Sequence, residues 1–354
     1  MADNARFKGQ AELLMPSADL TEDMDFFTHL GFRLDQIYPS DDPEVARMSG
    51  HGLVLKLDRS AKITAPVVHL LTDEAPAEEL VAPNGTLIKF EPLYYRLELP
   101  STQHTFEVRR LKDSAPWVIG RAGMLYRDLI PDRLGGSIIA SHIRIPDAGP
   151  VPDMVHYHTI GFQLIYCYRG WVRLVYEDQG PPFILKAGDC VTQPPQIRHR
   201  VLESSENLEV IEIGVPAAHM TTIDHEMELP NTEFQPDREF GGQVFCRHEL
   251  KDAQWQPWKA QGFESRDTGI ANATSGVASV EVIRAGADTG KEALLKHGVD
   301  ILFTFVLDGG LKLLAEGQEQ DLRAGDAFVI PPDCTYRFHE LLPDTQLLEV
   351  SLPG

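Results

Sequence analysis

The sequence predicts a mainly β chain in three parts: a small α+β module of order β-α-β-β-β, followed by two copies of one β-barrel domain. Three observations carry this. From about residue 110 onward, short β-branched and aromatic runs alternate with Gly/Pro/Asp turns at intervals of about ten residues, the pattern of a sandwich or barrel. The same stretch repeats itself. Arg127-Asp128 returns as Arg266-Asp267 and Arg169-Gly170 as Asp308-Gly309, both 139 residues later. Ala187-Gly188-Asp189 returns as Ala324-Gly325-Asp326 and Pro194-Pro195 as Pro331-Pro332, both 137 residues later. Finally, the first sixty or so residues place one helical stripe among strand-like runs.

The 354 residues suffice for about two to three domains. The expected boundaries are 1–100, 101–225 and 226–354, with the polar, Pro-rich stretch near 220–250 joining the two barrels. An apolar fraction of 43% with 24% charged residues is an ordinary globular composition, so no disulfide framework is required. Cys167, Cys190, Cys246 and Cys334 lie far apart and read as reduced thiols. A formal charge of −21 repels phosphate backbones and anionic lipids, which excludes nucleic acid and membrane surfaces as partners. The amino terminus has no apolar signal region and no run approaches a membrane span, so a cytoplasmic location is expected.

Within the first part, AELLM reads as a strand. Ser17 or Thr21 is the expected helix cap, with Glu22 and Asp23 in the first turn. Met24, Phe26, Phe27 and Leu30 form the apolar stripe, and Gly31 ends the helix. The runs VARMS and GLVLKLD follow as strands about a His51-Gly52 turn. The order resembles one module of the vicinal oxygen chelate family, with GTLIKF (Gly85–Phe90) similar to that family's terminal strand. The resemblance implies metal ligands on the first and last strands. Here those strands read AELLM and GLVLKLD, and only Glu12 is a candidate, so the module is expected to be metal-free, with a structural or partner-binding role. Residues 61–100 read as a mixed connector in which His69, on the short strand PVVHLL, is expected to be packed or solvated rather than a ligand.

The barrel part is organised around Val155–Gly170, VHYHTIGFQLIYCYRG. Side chains alternate along a strand, so His156 and His158 share a face, with the amide of Gln163 five residues on. Further along, GDCVTQPPQIRH reads as strand, proline turn and strand, which returns His199 beside the histidine pair. Three imidazoles and an amide then converge, the donor types that hold a transition metal.

These residues resemble the cupin superfamily. The first cupin motif, H-x-H-x4-E-x6-G, is met by His156, His158, Gln163 and Gly170, with Gln in place of Glu. The second is met by Gly188, Pro194 and His199, with Gln196 for the turn glycine and Glu203 for Asn. The resemblance covers roughly 110–354 and implies a bicupin of two jelly-roll barrels, with the possibility of a homodimer. It implies one divalent transition metal on His156, His158, Gln163 and His199, for which Fe, Zn, Ni and Mn are all suitable. Losing the turn glycine predicts a different turn around Gln196. Exchanging Glu for Gln leaves the metal its full charge, which favours Lewis-acid chemistry without a valence change.

In the second copy the repeat offsets place Leu295, His297, Leu302 and Tyr336 at the four ligand positions, so it should fold but hold no metal. Arg127 and Asp128 recur in that copy and therefore read as structural. His142 and Arg144 do not recur by the same offset, which puts Glu281 and Ile283 there. On an inward face they would be a general acid/base and a carboxylate anchor; on an outward face, surface residues. The aromatic residues around Tyr166, Tyr168 and Tyr176 read as core or dimer interface, Arg198 and Arg200 as facing away from His199, and Glu203 as an exposed residue or a partner behind the ligands. The expected function is a metal-dependent enzyme acting on a small oxygenated or carboxylated molecule by isomerisation or lyase-type chemistry. The alternatives are an Fe(II)-dependent dioxygenase and a non-catalytic, metal-dependent binding protein.

Overall fold

The computed structural model describes residues 9–62, 67–73, 78–81, 87–113, 116–286 and 292–353; the amino-terminal residues 1–8 and residues 83–86, with the start of the GTLIKF run, lie outside these. The chain divides into two compact units. One is Met1–Glu98 with the short segments His156–Thr159 and His219–Glu226; the other is the remainder. No described helix is long and apolar enough to cross a membrane.

The first unit begins with strand Gly9–Pro16, helix Leu20–His29 and strands Arg33–Tyr38, Val45–Gly50 and Leu53–Asp58. The first and last of these pair in parallel, Leu13 opposite Leu55. The helix cap is neither Ser17 nor Thr21. Asp19 accepts from the Thr21 and Glu22 amides, while Ser17 donates to Asp23. The stripe is also shifted: Leu20, Met24 and Phe27 pack on Ala46, Met48 and Leu57, whereas Phe26 and Leu30 are exposed. The expected connector is part of the sheet. Val67–Thr72 pairs antiparallel with Gly9–Pro16, and Leu87–Pro92 pairs in parallel with Val67–Thr72. At the other edge, Met220–Ile223 joins Arg33–Tyr38 and His156–Thr159 joins Met220–Ile223.

The second unit contains the two predicted copies. Each has a seven-stranded sheet of the same order. In the first copy it runs through Cys190–Thr192, Phe162–Arg169, Leu208–Val215, Ile139–Ile145 and Leu125–Asp128; in the second through Ala327–Ile330, Ile301–Asp308, Gln346–Leu352, Ser279–Ala285 and Phe263–Asp267. Strand alternation gives each sheet two apolar faces. One face of each meets the other sheet, in a core that includes Phe162, Leu164, Ile211 and Ile213 from the first copy and Val280, Phe303, Phe305 and Val350 from the second. The opposite faces line the two barrel interiors, around Ile143, Cys167 and Val210 in one and Phe263, Leu311 and Phe338 in the other.

Each copy also lends the other a strand. Glu107–Arg109, which precedes the first barrel, pairs with Ala327–Ile330 of the second. Arg247–His248, which precedes the second, pairs with Cys190–Thr192 of the first. The exchange is tied down by the repeated residues. Arg127 donates to the Gly325 carbonyl at 2.6 Å and Arg266 to the Gly188 carbonyl at 2.8 Å. Asp326 accepts from the Leu111 amide and Asp189 from the Leu250 amide. Both glycines have positive φ, and a Cβ on either would strike the leucine of the lent segment, Leu111 or Leu250, at 2.8 and 2.7 Å. The Arg-Asp and Ala-Gly-Asp landmarks therefore recur because they lock this exchange.

Candidate metal centre

His156 and His158 lie on the strand His156–Thr159, both buried, with ring centroids 5.2 Å apart and planes perpendicular. Their common face follows from strand alternation. Thr221, opposite His158 in the register, places its hydroxyl 2.9 Å from His158 Nδ1. His199 begins the strand His199–Ser204 after the Pro194-Pro195 turn. Its Nδ1–H donates to the Ile197 carbonyl at 3.0 Å, which makes Nε2 the acceptor nitrogen of the ring. The ring stacks on Tyr176 with centroids 5.5 Å apart. Burial pushes the His199 pKa down to about 4, so the imidazole is neutral at physiological pH, the form a metal needs. One ligand nitrogen from each of His156, His158 and His199 lies within 4.8 Å of the others.

The turn that delivers His199 differs from expectation. Gln196 takes φ +65°, the left-handed geometry for which the motif uses glycine, and Asp333 does the same at the matching place in the second copy with φ +62°. The geometry is kept and the residue bears the strain.

Gln163 lies on Phe162–Arg169 and points into the first barrel with Ile165 and Cys167, while Phe162 and Leu164 point to the inter-sheet core. Its Nε2 donates to Glu212 Oε1 at 2.6 Å, and its Oε1 is buried without a protein partner. A buried, unpartnered amide oxygen on the inward face of the barrel that holds His199 is of the donor type that suits a further metal ligand. The donor set therefore fits a divalent transition metal. Around it, Gln193 donates to the Tyr176 hydroxyl at 2.9 Å, burial raises the Tyr176 phenol far above its ordinary pKa, and Arg121 is ion-paired with Asp153.

His142 and Arg144 are not part of this centre. Their strand, Ile139–Ile145, turns Ile143 and Ile145 into the barrel and carries these two on the alternate face. There His142 is ringed by Trp117, Tyr168 and Phe305, with centroids 5.0 to 5.7 Å away. Arg127 donates to its Nδ1 at 3.0 Å, so its Nε2–H donates to Glu209 at 2.8 Å. Arg144 also binds Glu209, at 2.9 Å, and lies 4.7 Å over Trp117. The sequence offset misplaced the counterparts. The strand registers align His142 with Val282 and Arg144 with Arg284, since His142 faces Ile211 as Val282 faces Leu348, and Arg144 faces Glu209 as Arg284 faces Gln346. Arg284 lies 3.9 Å over Trp255 as Arg144 lies over Trp117, so the arginine–tryptophan stack is a repeated structural element. Glu203 faces Arg173 across the strands and Arg198 reaches Glu177, both away from the histidines.

Two further groups lay outside the sequence reading. Glu212 is the one carboxylate on the inward face of LEVIEIGV; its interruption of that face was the signal available in the sequence. In the first unit, Glu12, His69 and Glu91 each offer a ligand atom within 4.8 Å of the others. Glu91 lies on Leu87–Pro92, just past the GTLIKF run, and the sequence reading did not name it. Arg47 binds both carboxylates, Lys56 binds Glu91 at 3.1 Å, and His69 lies 2.8 Å from Glu91. Two cations already balance the two carboxylates.

A scan against protein-family models and a search of curated proteins return no match. Solved structures do match. They include protein Ylba from E. coli, at 10% identity over 73% of this chain and 94% of that one, with a TM-score of 0.50. A salicylate 1,2-dioxygenase from Pseudaminobacter salicylatoxidans matches at 15% identity over 74% and 89%, with a TM-score of 0.51. A variant of Bacillus subtilis oxalate decarboxylase matches at 14% identity over 72% and 79%, with a TM-score of 0.50. At such identities the likeness speaks for the fold alone, a mainly β architecture.

Proposed function

We propose that the first barrel holds one divalent transition metal, Fe, Zn, Ni or Mn, on His156, His158, His199 and Gln163, and that the protein is an enzyme acting there on a small oxygenated or carboxylated molecule. The observation that carries this reading is the set of three buried imidazoles with ligand nitrogens within 4.8 Å of one another. A metal so held would supply Lewis acidity toward a substrate oxygen. The chain's own part is to keep His199 neutral through burial, to fix its tautomer through the Ile197 carbonyl, and to present Gln163 Oε1 unpaired. The Tyr176 hydroxyl, kept protonated by burial and bonded to Gln193, is a hydrogen-bond donor near the His199 ring.

Isomerisation or lyase-type chemistry is the first reading of the reaction. Oxygen-dependent oxidation is the second. It is supported by the structural match to a salicylate 1,2-dioxygenase and by the position of His142, which takes the expected acid/base group out of the barrel. Elemental analysis of the protein purified without added metal, beside His156→Ala, tests the centre: about one metal per chain is expected, and equal content in the two refutes it. Turnover of small carboxylic acids with and without O2 then separates the two chemistries. Binding without turnover of any of them would favour the non-catalytic alternative.

A further inference from the structure

We propose that Glu212 is a positioning residue for Gln163, and that the two together do the work of one carboxylate ligand divided over two side chains. The proposal rests on the metal reading above. An ionised carboxylate only accepts hydrogen bonds. The 2.6 Å contact to Glu212 Oε1 therefore fixes which end of the Gln163 amide faces it: the nitrogen must, and Oε1 is turned the other way. That oxygen is buried with no protein partner. Left so, it is a buried acceptor with its hydrogen-bonding need unmet; given a metal, it would be a donor. The carboxylate also draws on the amide N–H, which raises electron density on Oε1. The charge that a glutamate would place on the metal is thus supplied one hydrogen bond away.

The second barrel is the internal control. Its strand register puts Glu349 opposite Glu281 as Glu212 is opposite Ser141, so the inward carboxylate is retained. The amide is not: Leu302 faces Ser351 where Gln163 faces Gly214. In that barrel Lys259 approaches the carboxylate instead, at 2.8 Å, and the other oxygen of Glu349 is buried without a partner. In the first barrel the arginine near the corresponding place, Arg121, is held by Asp153. The same glutamate faces an amide in the barrel with three histidines and an ammonium in the barrel without them.

The test uses the metal-stripped full chain with cobalt(II) as the probe, reading affinity by chelator competition and coordination by the visible ligand-field bands. Glu212→Gln is expected to weaken cobalt binding about 10- to 100-fold and to alter the bands. The double variant Gln163→Glu/Glu212→Gln exchanges carboxylate and amide, keeps charge and hydrogen bond, and should restore affinity. Wild-type affinity and bands in Glu212→Gln overturn the proposal, as does a double variant as weak as the single one. If Glu212→Gln does not fold, the double variant decides alone, against Gln163→Leu as the ligand-deficient reference. Wild-type protein that binds cobalt no better than His156→Ala overturns the metal centre itself, a result distinct from the others.

Discussion

At the residue scale, the centre was legible where the spacing was local and obscure where partners were distant. His156, His158 and His199 could be read because strand alternation and one hairpin bring their ligand nitrogens together. His142 could not be placed, because a one-residue slip in the repeat offset moves a side chain to the other face of a sheet. Its role in the structure gives a prediction. His142→Leu strips Glu209 and Arg127 of a buried partner and should lower stability by about 1–3 kcal/mol in thermal or denaturant unfolding, with metal content unchanged; loss of metal would return it to the centre. Glu91 gives a second. The His69 imidazole 2.8 Å away, with Lys56 beside it, lowers its pKa from 4.5 to about 2. A depressed carboxylate stabilises the fold above its unfolded pKa, and that contribution fades as pH falls from about 5 toward 2. The melting-temperature difference between wild type and Glu91→Gln should therefore be largest above pH 5 and shrink below it; a difference independent of pH would rule this out.

At the element scale, the strands of the barrels were legible from their alternation and punctuation, and the first five elements from their helix and turn signals. The role of residues 61–100 was not. PVVHLL reads as a short strand in a connector and GTLIKF as similar to a terminal strand, and nothing local says that Val67–Thr72 lies beside Gly9–Pro16. The turn before His199 was misread for a different reason: a missing glycine suggests a new geometry, yet the two-proline lead-in and the flanking strands hold Gln196 at φ +65°. Relieving that strain is a simple check. Gln196→Gly should stabilise the protein by about 0.5–1 kcal/mol, the left-handed penalty less the entropy of the added glycine. Equilibrium denaturation measures it, and a loss of stability would mean that the Gln196 side chain contributes more than its backbone costs.

At the scale of the whole molecule, the repeat announced two barrels, and its conserved landmarks turned out to be the fastenings of a reciprocal exchange. Arg127 and Arg266 could be seen to recur, but which carbonyl each would reach depends on pairing across more than a hundred residues. Neither barrel has its full sheet without the other's strand, and the two bury a shared apolar face. The complete chain should accordingly melt with both barrels in one calorimetric transition, and a fragment of residues 101–225 should show none, its Phe162, Leu164 and Ile211 face being uncovered. A cooperative transition in that fragment would show the barrels to be independent. The exchange also sets a timetable for a chain made from its amino terminus. The Glu107–Arg109 strand emerges early and waits about 220 residues for Ala327–Ile330, while the first barrel's edge stays open until Arg247–His248 is made. Completion of the first sheet is thus deferred until the second copy has begun, and that of the second to near the end of synthesis. The chain meets the cell with two unpaired sheet edges, a slow-folding topology whose hazard is a strand borrowed from a neighbouring copy.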